Sequence, residues 1–351
     1  MTNAHRCFPG FVIIALGFTL SLLWCSNVLA TTYLDYYRSI AKAEEAVVNG
    51  RYNDALQQYR ASFASYSYSN PVDCYIVAQV ASYSGDTESC TSFIRRGICF
   101  GLPLQTIRSN PHLAPFISEE HSKALSRAVV DSCWQVYQGR IDKKARATMI
   151  GLGRRDQFFI RNLPRGESIY NRDGSTLKQA YLPLWDSLLR EIIRLTKESG
   201  FPAQKVIGTQ NGDDSVFAVR PHSLYAYYIL IHHGNAWPQM DSMLWAELEK
   251  GNITPQMYGA LADYSAGKAV LPQRYMALRD CEAFVKPKEC RESLRGRMQE
   301  VNAARSEIGL CSYEVMQKKR ESTTAHNKWR REKSRVPKAV FDFQSELHFQ
   351  G

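Results

Sequence analysis

Between residues 33 and 97, small and aromatic side chains recur every three or four positions, and the runs break at glycine-containing pairs. Ala41, Ala43, Ala46 and Val47 precede Asn49-Gly50, while Ala55, Leu56, Tyr59 and Ala61 come after it. Apolar residues of that period line one face of an α-helix, and glycine leaves a helix through a left-handed conformation that other residues resist. Residues 33–66 are therefore expected as two helices joined by a tight turn. Asn70-Pro71 opens a third helix that runs through Ser84, Gly85-Asp86 turns the chain, and residues 87–97 return. Two hairpins are too few to stand as a free solenoid, so they are expected to pack on the C-terminal part of the chain.

The segment NGRYNDALQQYRASFA at 49–64 resembles a tetratricopeptide hairpin, with Gly50 at the turn, Tyr52 and Ala55 interlocking, and Tyr59 facing the neighbouring hairpin. Beyond about residue 125 the pattern stays helical. Trp185, Leu188, Leu189, Ile192, Ile193 and Leu195 form a stripe ending at Gly200, residues 224–233 are too apolar for a surface helix, and Thr254-Pro255 and residues 289–308 give further helices. A polar interval at 162–175 is expected as turns. The fold expected is mainly α, with tetratricopeptide-like hairpins at 31–120 packed on a helical domain at 121–312. A basic tail completes the chain at 313–351. Strand is at most minor, near 205–209 and 216–219, and the boundary is placed near 118–125.

Six short motifs fall in order through the second half: Asp156-Gln157 with Arg161, GFPAQKVIG at 200–208, ILIHHG at 229–234, KGNITPQMYGALADY at 250–264, QRY at 273–275 and VNAARSEIGL at 301–310. Across residues 145–312 this succession resembles an uncharacterised bacterial domain family of unknown function. Its members are often exported and often carry tetratricopeptide-like hairpins ahead of the domain. Two positions depart from that family's pattern, Asp263-Tyr264 in place of Asp-Arg and Tyr275-Met276-Ala277-Leu278 in place of Tyr-Gly-Thr-Gln. The resemblance implies no activity.

At the N-terminus His5 and Arg6 precede an apolar run from Phe11 to Cys25, and Val28-Leu29-Ala30 offers small residues for cleavage. This is the pattern of a secretory signal over 1–30. The run spans only about 22 Å as a helix, short for a bilayer, so a permanent anchor is the weaker reading. Lipidation at Cys25 is disfavoured by the bulky Trp24 before it. Export to a periplasmic or extracellular compartment makes disulfides the default for the seven cysteines beyond that segment: Cys74, Cys90, Cys99, Cys133, Cys281, Cys290 and Cys311. A reversal at Gly85-Asp86 sets Cys74 opposite about residue 97, which favours Cys74 with Cys99. Cys281 with Cys290 closes a short loop, and Cys311 is a candidate for the odd free thiol. Several buried free thiols are the other reading. Their spacing does not suit zinc, and no cofactor is expected.

The polar candidates sit in apolar surroundings. His232 and His233 end the run YAYYILIHH, where an imidazole could serve as a general base or offset a helix dipole. Asp156, Gln157 and Arg161 on one helix could hold an anionic or amide ligand, or form an ordinary ion pair. Asp263, Gln273, Arg274 and Tyr275 could converge with His232 or His233 in an acid-base pocket, or simply bond helices together. Gly208-Thr-Gln-Asn-Gly212 lacks the Lys-Ser/Thr of a phosphate loop, and no esterase or zinc-protease motif occurs.

Between 318 and 338 nine cationic side chains stand against Glu321 and Glu332, so most of the net charge of +10 lies there. In an exported chain such a segment would meet anionic envelope surfaces, and nucleic acid is not the expected partner. It could equally be a solvated, partly helical tail. Two functions are compatible with these residues. One is a non-enzymatic module holding a protein or peptide, with Tyr66, Tyr68, Tyr75 and Tyr83 available to line an aromatic groove or to pack between hairpins. The other is an envelope-directed hydrolase using His232 or His233 with Asp156 or Asp263.

Overall fold

Thr32 accepts a hydrogen bond from Asp35 N through its hydroxyl, a side-chain N-cap for α1, Tyr33–Val48. Gly50, at φ +76°, turns the chain into α2, Tyr52–Ser65. Asn70 and Asp86 cap α3, Pro71–Tyr83, and α4, Thr87–Cys99, in the same way, with Gly85 at φ +75° between them. The computed structural model describes residues 32–117, 125–162, 176–209, 225–233, 236–266, 273–277, 281, 286–332, 341 and 343. Beyond α4 come α5 Leu104–Arg108, a 3-10 turn Ala114–Ile117, α6 Arg127–Arg140, α7 Lys143–Arg161 and α8 Thr176–Ser199. The remaining elements are α9 Gln204–Ile207, α10 Tyr225–His233, α11 Trp237–Glu249, α12 Pro255–Ala266, α13 Pro287–Glu307 and α14 Tyr313–Glu332. The fold is mainly α, with no strand among the described residues.

Residues 32–351 pack as one unit. Residues 1–31 lie outside the described residues, as do most of the expected boundary at 118–125, the turns expected at 163–175 and the strand expected at 216–219. Within the unit α3 is buried on nearly every side, by Cys74, Tyr75, Ile76, Val77, Ala78, Val80 and Ala81. The two hairpins are joined by the buried bond from Tyr36 OH to Asp73 at 2.7 Å. Further along, α10 is buried at every position but Tyr228 and packs against α7, α8 and α12. Helices α1 to α12 share one apolar core, which also takes in Phe341 and Phe343, while Leu294 and Val301 of α13 join Tyr313 and Met316 of α14 in a second, smaller cluster around Met276 and Cys281–Cys290.

Four expectations change. Residues 204–207 form a helical turn rather than a strand. Their amides find local acceptors instead, Ile207 N on Ala203 O and Gly208 N on Gln204 O. Cys281–Cys290 forms as expected, but Cys99 pairs with Cys133 instead of Cys74, and Cys74, Cys90 and Cys311 are free. The reversal itself lies where the register predicts, since a Cβ on Gly97 would lie 3.1 Å from Cys74 Cβ. Cys99, however, is two residues on, about 200° around the helix, and so faces α6 instead of α3. On the chain-entropy model the 34-residue closure by Cys99–Cys133 contributes about 3 to 4 kcal/mol.

Nor is the basic segment a solvated tail over its described part. It forms α14, which lies against α1, with Val315 and Met316 buried and Lys319 Nζ 2.6 Å from Glu44. Phe341 and Phe343, beyond the helix, are also core residues. The apolar residues that seat this segment, Val315, Met316, Phe341 and Phe343, flank the run of cations at 318–338. Finally, the four tyrosines do not form a groove. Tyr75 is buried and accepts from Asn110, Tyr66 stacks on Tyr36, Tyr68 meets Phe100 edge-on, and Tyr83 packs on Tyr52 and Phe341.

Candidate functional site

His232 and Asp156 come together at the crossing of α10 and α7. This approach is possible because α7 carries Gly153 there, where a Cβ would fall 2.3 Å from the Tyr225 ring. With α10 drawn this close, His232 Nδ1 lies 2.8 Å from both carboxylate oxygens of Asp156. Two further donors complete that carboxylate: Trp185 Nε1 from α8 at 3.2 Å and the neighbouring Gln157 Nε2 at 3.0 Å. A carboxylate so placed orients the imidazole and favours the tautomer with its proton on Nδ1, leaving Nε2 as the basic nitrogen. The same geometry would serve as the base and its orienting acid in a nucleophilic site. The pair is enclosed, however, with side-chain exposures of 5% for His232 and 1% for Asp156, and Tyr228 stacks over the imidazole.

His233 faces another way. Its Nε2 lies 2.8 Å from Asp186 on α8, an acid that is half exposed although the histidine is buried. No local pattern marks Asp186 as a partner, since only the packing of α8 on α10 brings it there. Arg161 stands exposed in the last turn of α7.

Of the second expected group, Asp263, Gln273 and Tyr275 come together around backbone, while His232 and His233 are held by Asp156 and Asp186. Asp263, fully buried on α12, accepts from Tyr275 N at 2.9 Å and Ala277 N at 2.7 Å, and its carbonyl accepts from Gln273 Nε2 at 3.0 Å. Arg305, buried on α13, donates to Tyr275 O at 2.7 Å and to Cys311 O at 2.6 Å. These bonds hold residues 273–277 in place, including Met276 at φ 45°. The Tyr275 ring meets Tyr258 and lies beneath the Arg274 guanidinium, which pairs with exposed Glu307. Burial pushes the Tyr275 hydroxyl up to about 12, which keeps it protonated at neutral pH. Arg305 is the residue that sequence reasoning missed here. It lies within the motif VNAARSEIGL, but nothing local distinguishes it from the other arginines of α13.

Among the described residues no group of three or more His, Cys, Asp or Glu side chains could hold a metal ion, and no helix is long and apolar enough to cross a membrane. Burial holds the free thiols of Cys74 and Cys90 protonated, the latter pushed up to about 12. Comparison with protein-family models, curated proteins and solved structures finds no match to this chain.

Proposed function

We propose that this chain is an exported, disulfide-stabilised module that holds a protein or peptide partner rather than turning over a substrate. The observation that carries this reading is Trp134 on α6, which is 38% exposed. The helix that carries it is held at two points. Cys133 is bonded to Cys99, and buried Tyr137 donates to Thr209 O at 2.9 Å. A tryptophan presented from a fixed helix loses little freedom on binding and is the kind of side chain that anchors interfaces. The partner is accordingly a polypeptide with an apolar side chain to set against Trp134.

The signal-like pattern over 1–30 and the two disulfides support an oxidising, periplasmic or extracellular setting. The six motifs of residues 145–312 support membership of the uncharacterised exported family. Contact with anionic envelope material through 318–338 is a subordinate proposal, because Lys319 is already paired with Glu44. A photo-crosslinking benzoylphenylalanine placed at 134, and at exposed position 144 on α7 as control, tests the main reading in the source cells. A discrete polypeptide adduct from 134 alone is expected. No adduct at 134, or the same products from 144, would reject it.

One observation favours a second reading, an envelope-directed hydrolase: the 2.8 Å pairing of His232 Nδ1 with Asp156. A panel of ester, amide and glycoside substrates decides between them. Turnover that disappears in a folded His232→Gln variant would establish the hydrolase, whereas no turnover in the wild type leaves the enclosed pair a structural one.

A further inference from the structure

Helix α7 carries six cations and one acid, and the acid lies on the side away from most of the cations. Its buried positions are Ala145, Met149, Leu152, Gly153 and Asp156, the last held by His232. At about 100° per residue, Lys144, Ala147, Gly151, Arg155 and Phe158 fall on the opposite side. Lys143, Arg154 and Arg161 border that outward face, and all five of its cations are exposed. The sixth, Arg146, reaches Tyr137 OH at 3.4 Å. Phe158 stands within one turn of Arg154, Arg155 and Arg161 and is 63% exposed, more than any other large apolar side chain described.

The acids of this helix and of α8 beside it are engaged elsewhere. Asp142 senses the Lys144 ammonium, but its oxygens accept from Ala145 N at 2.8 Å and Ser199 Oγ at 2.6 Å. On α8, Asp186 is bonded to His233, and Glu191 and Glu198 are both taken by Arg194. Lys143, Lys144 and Arg155 form no ion pair among the described residues. A helix that merely faces water commonly interleaves both signs of charge, whereas cations grouped around an apolar side chain suit an anionic surface with hydrocarbon beneath it. The face is also without walls. A Cβ on Gly151, at its middle, would meet nothing within 4 Å. Peptide recognition on a helical surface uses a groove, while a face about 28 Å long and open along its middle fits a plane of headgroups.

We propose that the outward face of α7 docks on an anionic phospholipid membrane surface. Its five exposed cations lie among the lipid phosphates, and Phe158 enters the boundary between headgroups and acyl chains. This surface is separate from Trp134 and from the segment at 318–338, and its test depends on neither.

Co-sedimentation of the full chain with vesicles compares pure phosphatidylcholine with phosphatidylcholine containing about 30% phosphatidylglycerol, in about 0.1 M salt. Any partition of the apolar run at 11–25 is common to both, so the reading is the excess on the anionic vesicles. The wild type should bind these about tenfold or more tightly, and about 0.5 M salt should remove the excess. Lys144→Glu with Arg155→Glu should lower anionic-vesicle affinity about tenfold or more, and Phe158→Ser about threefold or more. If the double reversal does not fold, Lys144→Gln with Arg155→Gln replaces it, with a loss of about threefold or more. Lys288→Glu with Arg295→Glu makes the same charge change at exposed positions of α13 and should leave affinity within about twofold of wild type. Equal binding to both vesicle types overturns the proposal. So does an equal loss from the α7 and α13 pairs, which would assign the binding to net charge alone, or a Phe158→Ser affinity unchanged from wild type. Binding of poly-glutamate through Lys144 and Arg155 with none to vesicles would assign the face to an acidic polypeptide and equally overturn it.

Discussion

Glu247 shows how one buried side chain can govern a junction. Only 2% exposed, it accepts from Phe201 N at 2.7 Å, from Asn252 Nδ2 at 2.8 Å and from Lys250 Nζ at 2.8 Å, tying the end of α8 to the end of α11. Burial acts to raise the pKa of this carboxyl, but the bonds from Lys250, Asn252 and Phe201 outweigh it and hold the group below the ordinary glutamate value. A depressed carboxylate contributes stability that is present above its unfolded pKa, about 4.3, and is lost as pH falls through the folded value. Thermal denaturation from about pH 6 to about pH 3 should therefore show a decline that is shallower in Glu247→Gln, with the variant also less stable near pH 6 by about 1 to 3 kcal/mol. Parallel pH profiles would contradict this. The histidines were conspicuous in the sequence because they end an apolar run. Their acids were not, since Asp156 is 76 positions from His232 and Asp186 is 47 from His233.

At the level of elements, helix spans and turns were legible because their causes are local. Gly50, Gly85 and Gly200 all adopt positive φ where the pattern required a stop, and Asn70 caps the helix that Asn70-Pro71 announced. How those helices meet was not legible, and α7 makes the point. Its glycines look equivalent in sequence, yet a Cβ on Gly151 would meet nothing within 4 Å, whereas one on Gly153 would strike the Tyr225 ring. Gly153→Ala should therefore destabilise the fold by about 1 to 3 kcal/mol through overpacking. Gly151→Ala should be neutral or stabilise it by up to about 1 kcal/mol, as expected for a helical site. Urea denaturation of the two variants checks both, and equal effects would mean that α7 and α10 do not cross at Gly153.

For the molecule as a whole, the return of α14 onto α1 closes the chain on itself. Lys319 and Glu44 meet at 2.6 Å with side chains only 12% and 8% exposed, Lys318 donates to Asn49, and Lys319 also faces the Phe343 ring. Removing one member leaves a charge buried without its counter-ion, so Lys319→Met should cost about 3 to 5 kcal/mol in chemical denaturation. Adding Glu44→Gln should recover much of that loss, and a double variant as unstable as the sum of the singles would show that the pair is not coupled. The helical class, the hairpin turns and the position of the first reversal were determined by the sequence alone, because they depend on bonds and side-chain periods spanning three to five residues. Disulfide choice, the docking of the basic helix and the enclosure of His232 with Asp156 were decided only in tertiary structure. Each depends on the direction a side chain takes across a long-range contact, and on a helix that direction turns by about 100° with every residue.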